Sequence, residues 1–275
     1  MKHVDIFLQE PAPDEAAILI APIPFDHWGQ RSKLTDLTGL KNQTELKAAN
    51  SGQKAVIAKP IDQHLPALSY ALEETNIAPA PFVWNVPENQ YTRADNSLTE
   101  LAIDLVKNLT TETAKIFALI EYASDMFGYG HTEGRFYQGL ESVPAVCGTT
   151  KGSCVDINTF LLAAALSLDI KGQYIAGYWF HPDKTETLDM HCWLAFEADN
   201  EVLFWDLAHH LKWGVEKLAP GLNPAGGRRI AMSCGRGLEF ETINGRVSIS
   251  HFSEPVWIMP DGKLIEPSIR AKITD

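Results

Sequence analysis

The sequence predicts an α+β protein in which a strand-rich N-terminal domain, residues 1–92, precedes a helix-and-sheet domain, residues 93–275. Three observations lead to this prediction. The first ninety residues form short alternating segments separated by proline and glycine. Two later segments, 96–126 and 155–168, have the apolar spacing of helices, and after Gly172 the period returns to two. A chain of 275 residues is long enough for one large or two unequal domains.

Short strands are predicted throughout the N-terminal region because apolar and polar residues alternate there between turn residues. Their predicted ranges are 4–8, 17–25, 34–40, 44–48, 54–58 and 65–73. Residues 79–87 contain three prolines in PAPFVWNVP. We expect this segment to be an extended linker at the domain boundary.

Helices open the second region. Residues 96–126 should begin at an N-cap on Asn96 or Ser97 and divide into two helices near 109–113, and a glycine-rich loop should follow over 127–150. Residues 155–168 are apolar nearly all round, which is typical of a helix buried inside a domain. Strands are predicted over 173–180, 191–198 and 201–206, and the tail beyond Gly221 is strand-like.

Charge and composition exclude several classes of protein. Lys and Arg number 23 against 35 Asp and Glu, a net charge of −12, so we expect no nucleic-acid partner. The longest apolar runs, 16–23 and 160–166, are far shorter than the ~20 residues that span a bilayer, and residues 1–10 lack the apolar core of a signal peptide. We therefore expect a cytoplasmic protein with no membrane partner. The four cysteines are too scattered for a disulfide framework, and reduced thiols are expected.

Cys154 has the position of a nucleophile. Gly152 and Ser153 lead directly into the buried helix, and Asp156 follows Ser153 at the spacing of a capping box. The unpaired N–H groups and positive dipole end of a helix N-terminus favour a thiolate over a thiol. The same N–H groups can stabilise an oxyanion.

A predicted hairpin brings a base and a carboxylate together. If Asp199 and Asn200 form a two-residue turn, residues whose numbers sum to 399 face each other. His191 and Asp206 are then diagonal neighbours on one face, roughly 7 Å apart at Cβ. A carboxylate has to lie this close to an imidazole to orient it while the imidazole takes the thiol proton. A loop of odd length would place them on opposite faces.

These segments resemble the transglutaminase-like superfamily. The family pattern is G-x-C-x-D at the start of an apolar helix, a Gly-Tyr strand end, His-x-Trp, and an aspartate at the end of the next strand. It is matched here by Gly152, Cys154, Asp156, Gly177, Tyr178, His191, Trp193 and Asp206. Phe127 and Tyr129 resemble the family's F-x-Y pair. Arg229 stands where many bacterial members have an aspartate, so a role for that carboxylate is not carried over.

The resemblance implies a papain-like core, in which the helix with the cysteine packs on an antiparallel sheet that carries the histidine and the acid. It also implies acyl transfer through a thioester, with Cys154, His191 and Asp206 as catalytic residues. The substrate would be a peptide or protein with an amide in its side chain or backbone, and no cofactor is expected. Three activities stay open: hydrolysis of peptide or amide bonds, transamidation of protein glutamine, and a non-enzymatic binding module that keeps the fold.

Other residues receive secondary interpretations. By analogy with the family, Trp193 is expected to wall the active site, and Gln138 and Tyr129 are candidates for the second oxyanion donor. Asp156 is interpreted as a helix-start carboxylate, because a charge so close would oppose a thiolate. Cys192 should point away from His191 into the core. His209 and His210 beside Asp206 suggest a metal site, but no close ligand pair such as C-x-x-C supports one, and no metal is expected.

Overall fold

The computed structural model describes residues 2–62, 64–75, 81–221 and 224–274. The helices in these ranges are α1 (Asn96–Val106), α2 (Glu112–Met126), α3 (Cys154–Leu166) and α4 (Leu207–Trp213), and a short 3-10 helix covers Pro81–Trp84. The strands are β1 (Lys2–Leu8), β2 (Ile18–Ile23), β3 (Gly29–Thr38), β4 (Leu40–Lys47), β5 (Lys54–Pro60), β6 (Ala67–Thr75), β7 (Phe127–Tyr129), β8 (Thr150–Gly152), β9 (Lys171–Phe180), β10 (Glu186–Thr187), β11 (Met190–Ala198), β12 (Glu201–Trp205), β13 (Arg228–Cys234), β14 (Leu238–Thr242), β15 (Gly245–Ile249), β16 (Val256–Ile258), β17 (Leu264–Ile265) and β18 (Ile269–Thr274).

The chain forms two compact units, each built from separate stretches of sequence. The first contains Met1–Asn85, Ala176–His191 and Gly227–Asp275, and the second contains Val86–Ile175 and Cys192–Gly226. Two of the four divisions, 175/176 and 191/192, fall inside the strands β9 and β11, and the other two, 85/86 and 226/227, fall outside helices and strands. These compact units do not test the domain boundary that the sequence predicts between residues 92 and 93, which stays a prediction.

The first unit contains two five-stranded sheets, ordered β10-β18-β1-β6-β3 and β17-β16-β2-β5-β4. Alternate side chains of β1, Val4, Ile6 and Leu8, share one apolar core with Leu19 of β2. The last strand of the chain returns to the first, since β18 pairs antiparallel with β1 from His3↔Thr274 to Leu8↔Ile269. The C-terminal strands therefore belong to the sheets begun by the N-terminal region.

A second apolar cluster covers the other face of β2. Ile18 and Ile20 point away from the core above, as the two-residue period of a strand requires. They join Phe240 and Val247 of the β14–β15 hairpin, whose register runs from Leu238↔Ile249 to Thr242↔Gly245. This hairpin thus adds a further layer to the first unit.

Helix α3 occupies the centre of the second unit. Every residue from Cys154 to Ala165 is buried, and α1, α2 and α4 all pack against this helix. The Phe160 ring lies 5.5 Å from the ring of Phe127 and 6.2 Å from that of Tyr122. A helix that is apolar all round is stable only when its whole surface is covered. In the same unit, β12 pairs antiparallel with β11.

Most predicted elements are confirmed, as is the α+β fold class. All six N-terminal strands are present, with shifted bounds, and the helical segment 96–126 divides as expected. The expected N-cap at Asn96 or Ser97 is wrong: Asp95 is the cap, and its carboxylate accepts the N–H of Leu98 at 2.9 Å. The predicted glycine-rich loop over 127–150 begins with β7 and ends at the first residue of β8, and these two short strands pair in parallel.

An extended linker was predicted over 79–87, of which residues 79 and 80 lie outside the described residues. Residues 81–84 form the 3-10 helix in place of an extended chain. Asp206 was predicted as a strand residue, but β12 ends at Trp205 and Asp206 caps the unpredicted helix α4. In the described parts of the chain, no helix combines the length and apolar character that crossing a membrane requires.

Candidate active site

The start of α3 is organised by Asp156. Ser153 is the N-cap with extended backbone, and Cys154 is the first helical residue, 5% exposed. The Asp156 carboxylate accepts the backbone N–H of Ser153 at 2.9 Å and its hydroxyl at 2.7 Å. Gly152 has to be glycine, because a Cβ there would come within 2.9 Å of the Phe127 ring. The predicted reciprocal cap is confirmed, and it fixes the helix end that carries the thiol.

Arg135 completes this cap from the loop before β8. Its guanidinium donates to Asp156 Oδ2 at 3.1 Å and to Ser153 Oγ at 3.3 Å. The carboxylate is almost fully buried, so a paired cation offsets much of the cost of keeping a charge there. It also neutralises the charge that would otherwise oppose a thiolate on Cys154. Sequence reasoning missed Arg135, since no local pattern links a loop arginine to a cap 21 residues away.

The β11–β12 hairpin has the predicted register. Its pairs run from Leu194↔Trp205 to Ala198↔Glu201, so paired numbers sum to 399. Asp199 and Asn200 both have positive φ, 50° and 68°, as a type I′ turn requires. This turn is why the carboxyl end of β12 lies beside the beginning of β11.

Asp206 is the first residue beyond β12 and is fully buried. One carboxylate oxygen accepts the backbone N–H of His209 at 3.1 Å, and the other lies 3.2 Å from His209 Nδ1. The side chain therefore caps α4 and contacts an imidazole at the same time. Both roles fix the direction in which the carboxylate points.

His191, Asp206 and His209 are all buried. Asp206 and His209 lie in the second unit, and His191 is the last residue of a stretch of the first unit. His191 is the second residue of β11, the first strand of the hairpin, and directly precedes Cys192. Two imidazoles and a carboxylate are a ligand set that Zn²⁺ accepts. The same set can also hold an imidazole against a carboxylate for proton transfer.

Cys192 points from β11 towards α3. Asn158 Nδ2 donates to the Cys192 carbonyl oxygen at 3.0 Å and lies 3.3 Å from its Sγ. Burial, reinforced by a hydrogen bond to the Cys154 side chain, raises the pKa of the Cys192 thiol well above its usual value. The expected burial of Cys192 is confirmed. Sequence reasoning missed its contact with Cys154, which depends on how β11 packs on α3.

The remaining candidates from the sequence are Tyr129, Trp193 and Gln138. Tyr129 pairs with Gly152 across β7–β8, two residues before Cys154, and Lys212 Nζ lies 5.5 Å from its ring centroid. Trp193 is buried. Gln138 is exposed, and its amide oxygen accepts the N–H of Arg135 at 3.3 Å. The oxyanion role of Gln138 and Tyr129 and the wall role of Trp193 stay predictions.

Comparisons with known proteins found a family model and several solved structures to which this chain is similar. Residues 99–205 match the family model of the transglutaminase-like superfamily. A provisionally assigned cysteine protease from Cytophaga hutchinsonii is 14% identical, with a TM-score of 0.50 over 99% of this chain and 96% of its own. The periplasmic domain of TgpA from Pseudomonas aeruginosa is 11% identical, with a TM-score of 0.38 over 77% of this chain and 91% of its own. No curated protein matches the chain.

The matched segment begins inside α1 and contains α2, α3 and the strands β9, β11 and β12. It includes the candidate thiol and imidazole and ends one residue before the candidate carboxylate. At 14% identity, the likeness to the Cytophaga hutchinsonii protein shows the fold alone. The similarity of this chain to the transglutaminase-like superfamily is carried by residues 99–205, 107 of its 275 residues.

Proposed function

We propose that the protein is a cysteine-dependent acyl-transfer enzyme that hydrolyses peptide or amide bonds through a thioester. The observation that carries this proposal is the register of the β11–β12 hairpin, because His191 lies near the start of β11 and Asp206 directly follows β12, after the helix of Cys154 in the chain. An imidazole held by a buried carboxylate has a fixed tautomer and a stabilised cationic form. Both properties suit a base that removes a thiol proton.

The proposed reaction has two stages. Cys154 Sγ attacks the substrate carbonyl carbon while His191 accepts the thiol proton, and backbone N–H groups at the start of α3 stabilise the oxyanion. His191 then protonates the leaving amine, and the acyl group remains on Cys154 as a thioester. A water molecule that loses its proton to His191 hydrolyses this thioester and restores the free thiol. Asp206 orients His191 throughout.

The other members of the site have supporting roles in this proposal. Arg135 and Asp156 hold the helix end that positions Cys154, and His209 contacts the Asp206 carboxylate. The substrate is a peptide or protein that presents an amide to the site. Neither the fold nor the three side chains choose between water and an amine as the acceptor.

A library of acylated peptides and glutamine-containing proteins, incubated with and without a labelled primary amine, tests the proposal. Free acid as the main product supports hydrolysis, and an amide of the labelled amine identifies a transamidase. The Cys154→Ala variant should lose turnover and remain folded, whereas Cys234→Ala, which removes a buried thiol of the other unit, should retain turnover. Full activity of Cys154→Ala would refute the proposal.

A further inference from the structure

Two thiols meet at the start of α3, and the proposed reaction uses only one. The Cys192 thiol hydrogen-bonds the Cys154 side chain and lies 3.3 Å from Nδ2 of Asn158. Asn158 follows Cys154 by one helical turn, so the same face of α3 meets Cys192 at both positions. Cys192 is fully buried, and Cys154 is 5% exposed.

We propose that Cys154 and Cys192 form a reversible disulfide after a hydroperoxide oxidises Cys154. The inference goes beyond the proposed function and depends on it only for its consequence, namely that the disulfide blocks acyl transfer. The chemistry itself requires a thiol that can be oxidised and a second thiol in contact with it. The described contact of the two side chains meets the second requirement.

The reaction balances in two steps. The Cys154 thiol attacks one oxygen of hydrogen peroxide, the O–O bond breaks, and the products are a sulfenic acid on Cys154 and one water molecule. The Cys192 sulfur then attacks the Cys154 sulfur, the S–O bond breaks, and the departing hydroxide takes the Cys192 proton as a second water molecule. The peroxide supplies the whole two-electron oxidation. A dithiol returns two electrons and two protons, which restores both cysteines.

Burial determines the order of these steps. The Cys192 thiol is shielded from solvent and, because of its raised pKa, stays protonated, so oxidants reach Cys154 first. Once Cys154 is a sulfenic acid, Cys192 is already beside it, whereas a thiol from solution has to enter the site. Formation of the disulfide therefore competes with further oxidation of Cys154 to a sulfinic acid, which dithiols do not reverse.

Peptide mass spectrometry tests this directly, because trypsin places the four cysteines on separate peptides, 136–151, 152–171, 185–212 and 230–236. The full chain is treated with hydrogen peroxide, free thiols are alkylated, and the chain is digested without reduction. We expect a cross-linked pair of 152–171 with 185–212 that is lighter by two hydrogens, and dithiothreitol should remove it. Recovery of Cys154 as a sulfinic or sulfonic acid, with Cys192 still free, would overturn the proposal.

Two variants sharpen the test. Cys192→Ala should convert Cys154 to species that dithiothreitol does not reduce, while Cys234→Ala should form the cross-link as the unaltered chain does. A cross-link that reaches Cys192 from Cys147 and not from Cys154 would also contradict the inference. Because the readout is peptide mass, the result is independent of whether any substrate is turned over. An inactive chain that forms the cross-link would refute the proposed function only, and an active chain that does not would refute this inference only.

Discussion

Replacing Asp156 with alanine should destabilise the second unit through the start of α3. The carboxylate accepts three hydrogen bonds, from the Ser153 N–H at 2.9 Å, the Ser153 hydroxyl at 2.7 Å and the Arg135 guanidinium at 3.1 Å. A helix cap contributes about 1 kcal/mol, and hydrogen bonds to charged groups contribute about 1.5–3 kcal/mol when buried. The Arg135 side chain is 36% exposed and regains water in the variant, which favours the low end of that range.

The free energy of unfolding should therefore fall by about 2–3 kcal/mol, since the lost cap and the lost charge-assisted hydrogen bond add. Urea unfolding followed by helical circular dichroism measures this change. Asp95→Ala is the matched control: Asp95 caps α1 through the N–H of Leu98 at 2.9 Å and should cost only about 1 kcal/mol. A cost for Asp156→Ala no greater than that of Asp95→Ala would refute the reasoning.

Three further changes have separate readouts. Burial, and then repulsion by neighbouring carboxylates, raises the pKa of Glu254 from 4.5 to about 7. The folded chain therefore binds a proton that the unfolded chain has lost, and its stability falls by up to about 3 kcal/mol as the pH rises from 4.5 to 7. Glu254→Gln should flatten this part of the pH profile of urea unfolding, and an unchanged slope would contradict the prediction. Gly177→Ala should prevent correct folding, because its Cβ would lie 1.9 Å from the Ile230 carbonyl oxygen, whereas Gly128→Ala meets nothing within 4 Å; equal thermal unfolding of the two variants would count against this packing. Asp206→Asn should lower kcat/KM by about 10⁴-fold if the carboxylate orients the base, and a loss below tenfold would remove it from the mechanism.

Local sequence signals predicted the parts of the site that depend on a few neighbouring residues. Asp199 and Asn200 tolerate positive φ, so these two residues were enough to predict the two-residue turn and, through it, the register of the hairpin. Ser153 and Asp156 predicted the helix start because they have the spacing of a capping box. Helix α4 was missed although both of its ends carry signals, the cap at Asp206 and the left-handed Gly214 with φ 63°.

Contacts between distant segments were not predictable from one sequence. Arg135 reaches Asp156 from a loop without regular structure, and the packing of β11 on α3 sets the contact of Cys192 with Cys154. Each depends on how elements pack after they form, which local propensity does not determine. The catalytic assignment of Cys154 came from the resemblance and stays a proposal.

The rate of Cys154 alkylation tests the central claim, that its thiol is activated by His191. The chain is treated with iodoacetamide at pH 6, and the modification of peptides 136–151 and 152–171 is followed over time, so that exposed Cys147 serves as an internal comparison. We predict that Cys154 reacts faster than Cys147 in spite of its burial, and that His191→Ala removes the difference. Slower reaction of Cys154 than of Cys147, as burial alone dictates, would contradict the account.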